Sequence, residues 1–137
     1  MLQIKKRRDS ARAMRLMCTI VFYQDTRHEK PLHWIHGVLG IGYLSRRNDG
    51  MSELRINGFT QVRDILSNLV PYIRFKKVQA VALLKATTIL SGKPFKKLAR
   101  KELVLLARCM VAIQKDNYAA RSKKSLSEIQ RLLGLTP

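Results

Sequence analysis

Three residues, Asn48-Asp49-Gly50, stand between two short runs rich in strand-forming side chains, residues 41–47 and 52–57. An Asp-Gly pair tolerates the positive φ angles of a tight turn, so the two runs are expected to form an antiparallel hairpin closed by Gly58. Upstream, residues 2–8 and 14–24 alternate loosely and carry β-formers, which predicts two further strands joined around Asp9-Ser10-Ala11. Between the two pairs, residues 29–39 read as a helix with Pro31 in its first turn. Leu32, Ile35, Val38 and Leu39 share one face of it, and Gly40 ends it.

After Gly58 the period changes to that of helices. Val62, Ile65, Leu66 and Leu69 sit at i, i+3, i+4 and i+7 of a helix over residues 60–69, which Pro71 stops. Another helix is expected from Pro71 to Leu90, with Phe75, Val78, Ala82, Ala86 and Ile89 as its buried stripe. Ser91-Gly92-Lys93-Pro94 breaks it and divides a core, residues 1–90, from a helical extension, residues 93–137. The extension predicts a long helix over 95–115, with Leu98, Ala99, Leu103, Leu106, Met110 and Ile113 inward. A last helix opens on the capping box Ser125-Leu126-Ser127-Glu128 and ends at Gly134. The fold class is α+β: β-β-α-β-β-α-α and two more helices, with an antiparallel sheet covered by helices on one face.

A chain of 137 residues, 46% of them hydrophobic, suits one compact domain with a short appendage. Lys and Arg number 27 against 9 Asp and Glu, a net charge of +18. A compact fold with that charge repels itself, and a polyanion relieves the repulsion while phosphates release counterions. DNA or RNA is therefore the first candidate partner, and an anionic membrane surface the second. A generically basic protein ranks well below the first, because the excess runs through almost every segment. No apolar run is long enough to span a bilayer, and the run over residues 18–23 is a strand. The basic start lacks the features of a secretory signal, and Asp9 with the strand-like opening argues against a targeting segment. Cys18 and Cys109 lie far apart and read as small buried side chains. His28, His33 and His36 cluster, but no second ligand pair accompanies them, so no zinc site is expected.

Two segments carry a resemblance. The first is Phe22-Tyr23-Gln24-Asp25, a helix, Gly40-Ile41-Gly42-Tyr43 and a basic hairpin. The second, at the right separation, is Pro71-Tyr72-Ile73-Arg74-Phe75-Lys76-Lys77-Val78-Gln79-Ala80. Together they resemble the LAGLIDADG homing endonuclease family over residues 3–86. The resemblance implies a saddle-shaped four-stranded antiparallel sheet whose concave face lies in the major groove of DNA. It also implies two domains joined through paired motif helices, each ending in an acidic residue that binds the metal ions of phosphodiester hydrolysis. The motif helix is not found, since Gln3-Ile4-Lys5 already matches the first strand. Two-metal hydrolysis needs carboxylates that hold divalent cations at the scissile phosphate, and Asp9, Asp25 and Asp49 stand elsewhere. Peripheral site positions remain: Lys76 resembles the family's basic residue, Gln24 its water-ordering residue, and Arg27 or His28 a further basic one. A plain solvated lysine at a helix start is an equal reading of Lys76.

In a strand, alternate residues face one side. Turning Ile4, Cys18, Ile20, Phe22 and Ile56 toward the helices leaves Gln3, Lys5, Arg7, Arg15, Thr19, Val21, Tyr43, Ser45, Arg47, Glu53, Arg55 and Asn57 on the open face. That set is rich in the side chains that bond base edges and phosphates. Arg74, Lys76 and Lys77 form a further basic cluster. Lys93, Lys96, Lys97 and Arg100 form another, with Lys93, Lys96 and Arg100 on one helical stripe, suited to phosphate without sequence readout. The expected function is a non-catalytic nucleic-acid binder that stabilises structured RNA, ribosomal or of a group I intron. The alternative is a DNA-binding half of a homing endonuclease that cuts only when a partner supplies the acidic ligands. No cofactor is expected, with Mg only in that alternative. A protein partner is expected over the surface the missing helix leaves, no membrane is expected, and family habit implies a mitochondrion or chloroplast.

Overall fold

The computed structural model describes residues 2–6, 14–115 and 123–135. Four strands, β1 (Leu2–Lys6), β2 (Met14–Asp25), β3 (Tyr43–Arg46) and β4 (Met51–Asn57), form one antiparallel sheet in the order β1-β2-β4-β3. The α+β class and the saddle topology are thus as the sequence leads one to expect. The hairpin turn closes as its residues demand: Gly50 takes φ 79, the Asp49 carboxylate accepts from the Met51 amide at 3.2 Å, and the Arg47 amide donates to the Met51 carbonyl at 2.7 Å. Helix α1 (Lys30–Leu39) connects β2 to β3 and stops at Gly40, whose φ of 67 is the left-handed conformation that glycine adopts without steric cost. Gly42 is required for a different reason: at φ 98, a β-carbon there would stand 2.8 Å from Ile56 Cγ1 and 2.9 Å from the Arg55 carbonyl. Only glycine lets the chain cross β4 so closely.

Helices α2 (Phe59–Leu69), α3 (Lys77–Gly92), α4 (Arg100–Lys115) and α5 (Leu126–Leu132) pack on the side of the sheet lined by Cys18, Leu54 and Ile56. One apolar cluster runs from Cys18 through Val62, Leu66 and Ala86 to Leu106, Met110 and Ile129. The helices beyond residue 93 therefore share the core of the sheet domain. The Arg63 guanidinium adds a tie between α2 and the end of α3 by donating to Ser91 Oγ at 3.0 Å. Ser125 and Glu128 form the full capping box at the start of α5. Cys18 and Cys109 are both buried free thiols, and burial pushes the Cys18 thiol up to about 11.

Four expectations are corrected. Helix α3 begins at Lys77, not Pro71: Val70–Tyr72 is a single 3-10 turn, Ile73 is extended, and Lys76 takes a left-handed φ of 54. Proline suits the first turn of either helix type, so it could not choose between them. Phe75 and Val78 are 89% and 62% exposed, because no element covers that end of α3. The helix expected from residue 95 starts at Arg100. Phe95–Lys97 is a 3-10 turn, Leu98 is extended and Ala99 is exposed, with Glu102 Oε2 accepting from the Ala99 amide at 2.7 Å as an N-terminal cap. In α1 only Leu32 is buried, and Val38 is exposed because the helix lies at the margin of the sheet.

Leu106 is fully buried where α4 meets the rest of the cluster. Leu106→Ala is expected to cost about 2–5 kcal/mol in a denaturant titration followed by circular dichroism. A loss under about 1 kcal/mol would mean that α4 is not part of the cooperative core.

Candidate nucleic-acid interface

The pairing register sorts the sheet into two faces, since residues directly opposite one another project to the same side. Thr19 pairs with Asn57, Val21 with Arg55 and Arg55 with Tyr43, Tyr23 with Glu53 and Glu53 with Ser45. These rows form the face that no helix covers. Arg15 continues it along β2, and the register sets Lys5 opposite Arg15 and Gln3 opposite Met17. Arg47, one residue past β3, lays its guanidinium 5.7 Å from the centroid of the Tyr23 ring. The parity read from the sequence is the parity found. Arg7 lies outside the described residues. Tyr23 and Met51 belong to the same face and were left out of the sequence reading, although the alternation through Thr19 and Val21 points to Tyr23.

Two residues of that set do not present themselves to solvent. Thr19 is buried and its hydroxyl donates to Asn57 Oδ1 at 2.7 Å, while Glu53 is buried beneath its arginine neighbours. Arg55 Nη2 and Arg47 Nη1 stand 2.8 and 3.9 Å from the Glu53 carboxylate oxygens. Arg15, Tyr43, Arg47 and Asn57 are exposed, and Val21, Ser45 and Arg55 are half-buried. Glu53 Oε1 accepts from Arg55 Nε at 3.1 Å and Nη2 at 2.8 Å, and from Ser45 Oγ at 3.4 Å.

The residues that resemble peripheral cleavage-site positions fall into two places. Lys76 is exposed and lines a cavity of about 770 Å³ with Ile73, Phe75, Gln79, Leu83 and, from the sheet, Tyr23, Arg47 and Met51. Its left-handed backbone is the one positive φ outside glycine among the described residues, and Gln79 Oε1 lies buried on the same wall without a hydrogen-bond partner. Gln24, Arg27 and His28 do not line this cavity. Gln24 pairs with Ser52, a register position on the helix-covered face, and its Oε1 accepts from the Asp25 amide at 3.3 Å. Arg27 donates through Nε and Nη2 to the two oxygens of Asp25 at 3.0 and 2.8 Å, which holds that carboxyl well below the usual carboxylate range. His28 is exposed in the same 3-10 turn, Thr26–His28.

A network fixes this turn to the sheet. Glu29 accepts from Arg46 Nη2 at 2.6 Å and from Ser52 Oγ at 2.5 Å, and Ser52 Oγ stands 3.0 Å from Thr26 Oγ1. Nothing in the local sequence announces it, because its members come from three elements. The outer basic clusters are placed differently from expectation. Lys93 is extended and paired with Glu102 at 2.9 Å, Lys96 and Lys97 lie in the 3-10 turn, and Arg100 opens α4, so they are not one helical stripe. Arg74 and Lys77 are exposed near Lys76.

A metal site does not fit these residues. Among the described residues, each carboxylate except Glu128 is held by an arginine or lysine: Asp25 by Arg27, Glu29 by Arg46, Asp49 by Arg47, Glu53 by Arg55, Asp64 by Arg63 and Glu102 by Lys93. Glu128 caps α5. No group of three or more His, Cys, Asp or Glu side chains among them could hold a metal ion. No helix of the described residues is long and apolar enough to cross a membrane.

No family model matches the chain. A curated protein, DNA endonuclease I-CvuI of Chlorella vulgaris, is 34% identical over 83 residues, 61% of this chain and 52% of that protein. The chain thus spans about half the length of the curated relative it matches. Against the solved structure of the homing endonuclease I-CvuI in complex with a DNA target, which was not cleaved at 2 mM Mg, the TM-score is 0.67 at 27% identity. That match covers 97% of this chain and 84% of the other. The archaeal intron-encoded homing endonuclease I-Vdi141I, complexed with DNA, gives a TM-score of 0.76 at 18% identity over 97% of this chain and 84% of the other. The LAGLIDADG homing endonuclease I-SmaMI, bound to cleaved DNA, gives 0.72 at 14% over 98% of this chain and 43% of the other. These last two show the shared fold.

Folding lowers the Glu29 carboxyl from 4.5 to about 2, first through Arg46 and then Ser52. The folded state therefore holds this proton less tightly than the unfolded one. The stability it contributes is full above the unfolded value and is lost as pH falls toward the folded one. Denaturant titrations at several pH values are expected to show the wild type losing its advantage over Glu29→Gln between about pH 4.5 and pH 2. A gap independent of pH would contradict the network.

Proposed function

We propose, from the premise that this chain belongs to the LAGLIDADG homing endonuclease family, that its open sheet face binds duplex DNA and that the chain alone does not cut it. One observation carries the reading: Arg15, Arg47, Arg55, Tyr43 and Asn57 share a sheet face that no helix covers. A two-stranded or larger β-surface fits the major groove, where base pairs are distinguishable. I-CvuI, a relative whose solved structure holds a DNA target, supports duplex over structured RNA. The RNA reading rests on the net charge, which any phosphate polymer satisfies, and on the lack of metal-binding acids among the described residues, which a DNA-binding half shares.

The cavity beside Lys76 supports the second half of the reading. Phe75 and Val78 stand exposed at this end of α3, and Gln79 turns an unpartnered oxygen into the cavity wall. An apolar helix from outside residues 1–137 would cover these side chains, and acidic residues at its end would supply the metal ligands that the described residues do not. Lys76 would then lie beside a DNA phosphate.

In gel-shift titrations a specific duplex is expected to bind more tightly than structured RNA, with affinity falling as salt rises. With Mg present no cleavage by the chain alone is expected. Tighter binding to RNA at every salt concentration would overturn the DNA reading. Lys76→Ala is expected to weaken binding evenly across sequences and to reduce the salt slope by about 1. An unchanged slope would remove Lys76 from the phosphate contacts. Phe75→Ser should leave the melting free energy within about 0.5 kcal/mol while lowering binding of an apolar dye. A large loss of stability would show Phe75 already packed.

A further inference from the structure

The centre of the open face holds an acid, which is the wrong charge for a surface that meets phosphates. Glu53 lies on β4, the strand between β2 and β3, in one row with Tyr23 and Ser45. Its side chain is 8% exposed and that of Arg55 is 29%. A carboxylate kept for charge balance at a surface would stay solvated, whereas this one is buried, with Oε1 accepting from Ser45 Oγ and, at shorter distances, from both Nε and Nη2 of Arg55, two residues along the same face.

The geometry decides which donors remain. A guanidinium has five N–H donors in a rigid fork. Glu53 Oε1 takes one from Nε and one from Nη2 of Arg55. That leaves the end-on edge of Arg55, one N–H from each Nη, aimed away from the carboxylate. A parallel pair of donors at that spacing matches O6 and N7 of guanine in the major groove. The other oxygen, Oε2, is buried without a hydrogen bond, and Arg47 Nη1 stands 3.9 Å from it. Arg47 is held elsewhere, by Asp49 at 2.8 Å and by the Tyr23 ring. Without Glu53, Arg55 and Arg47 would face each other as like charges on neighbouring strands and would turn outward to the nearest phosphates. A phosphate contact positions a protein but carries no base identity.

We propose that Glu53 is a specificity-determining positioning residue. It holds Arg55 so that the free edge of its guanidinium reads a guanine in the bound duplex. The proposal rests on the duplex-binding reading above and deepens it: the target carries a guanine beneath the centre of β4, and its recognition depends on a side chain that touches no DNA.

The test is selection of the full-length chain on a randomised duplex library, with the bound pool sequenced, beside direct affinity for an unrelated duplex and a thermal melt. The wild type is expected to select guanine at one position. Glu53→Gln keeps the size of the side chain but weakens its hold on Arg55. It should lose that preference by roughly 5- to 100-fold, the discrimination of a bidentate arginine–guanine pair. Its affinity for the unrelated duplex should be unchanged or higher, since a negative charge is gone. Arg55→Lys keeps the charge and loses the fork, and should show the same loss at the same position. Should Glu53→Gln melt early, Glu53→Asp retains the carboxylate withdrawn by one methylene and should lose the same preference. A guanine preference that survives in both Glu53 variants, or one that disappears in neither Glu53→Gln nor Arg55→Lys, overturns the proposal while leaving duplex binding in place. A wild type that enriches no duplex sequence overturns the proposal and the duplex reading together.

Discussion

The antiparallel register of β2 against β4 is the constraint from which the other properties follow. Once Ile20 stands opposite Ile56 and Phe22 opposite Leu54, every second residue of both strands is committed to the helices and every other one to the open side. A slip by one residue would bury Arg55 and expose Ile56. The register is held at one end by Gly42, which lets the chain pass close over β4, and at the other by the Glu29 network around Ser52. The helices can then be treated as a lid on one face, and the chemistry as a property of the other.

Electrostatics follow the same division. The acids are few, and among the described residues all but Glu128 are engaged by a specific base within the molecule. The surplus of Lys and Arg is thus left uncompensated within the molecule, and binding a polyanion would relieve its repulsion. The two kinds of basic residue differ in how they are held. Arg55 and Arg47 are fixed by a carboxylate, by an aromatic ring or by both. Lys96, Lys97 and Arg100 sit at the start of the C-terminal helices with no such restraint described. Fixed arginines suit base readout, and loosely held cations suit phosphates.

Much of this was legible in the sequence where a local rule was enough. The Asn48-Asp49-Gly50 turn, the Gly40 stop, the Ser125–Glu128 box and the alternation along β2 and β4 each have a short-range physical cause, and each was found as read. The misreadings arise where two local rules compete. Pro71 suits a 3-10 turn as well as an α-helix, and Lys76 adopts a left-handed conformation that no sequence rule assigns to lysine. Phe75 and Val78 keep helical spacing with the buried residues of α3, yet spacing cannot tell whether a partner is present to cover them. The Glu53–Arg55 and Glu29–Arg46–Ser52 arrangements were invisible for another reason: they depend on χ angles and on which strands become neighbours.

The shared core has a consequence for the order in which the molecule can be built. Residues through Leu69 contain the strands, the register and the basic face. The apolar cluster behind that face closes only when Leu106, Met110 and Ile129 arrive. During synthesis from the N-terminus, the charged surface is therefore present in the growing chain before its apolar reverse side is covered. Packing of α4 against β1 also makes the topology dependent on pairings distant in sequence, the kind that form slowly. For an interval the nascent chain is both strongly cationic and open on its hydrophobic side, and it emerges from a machine built largely of RNA.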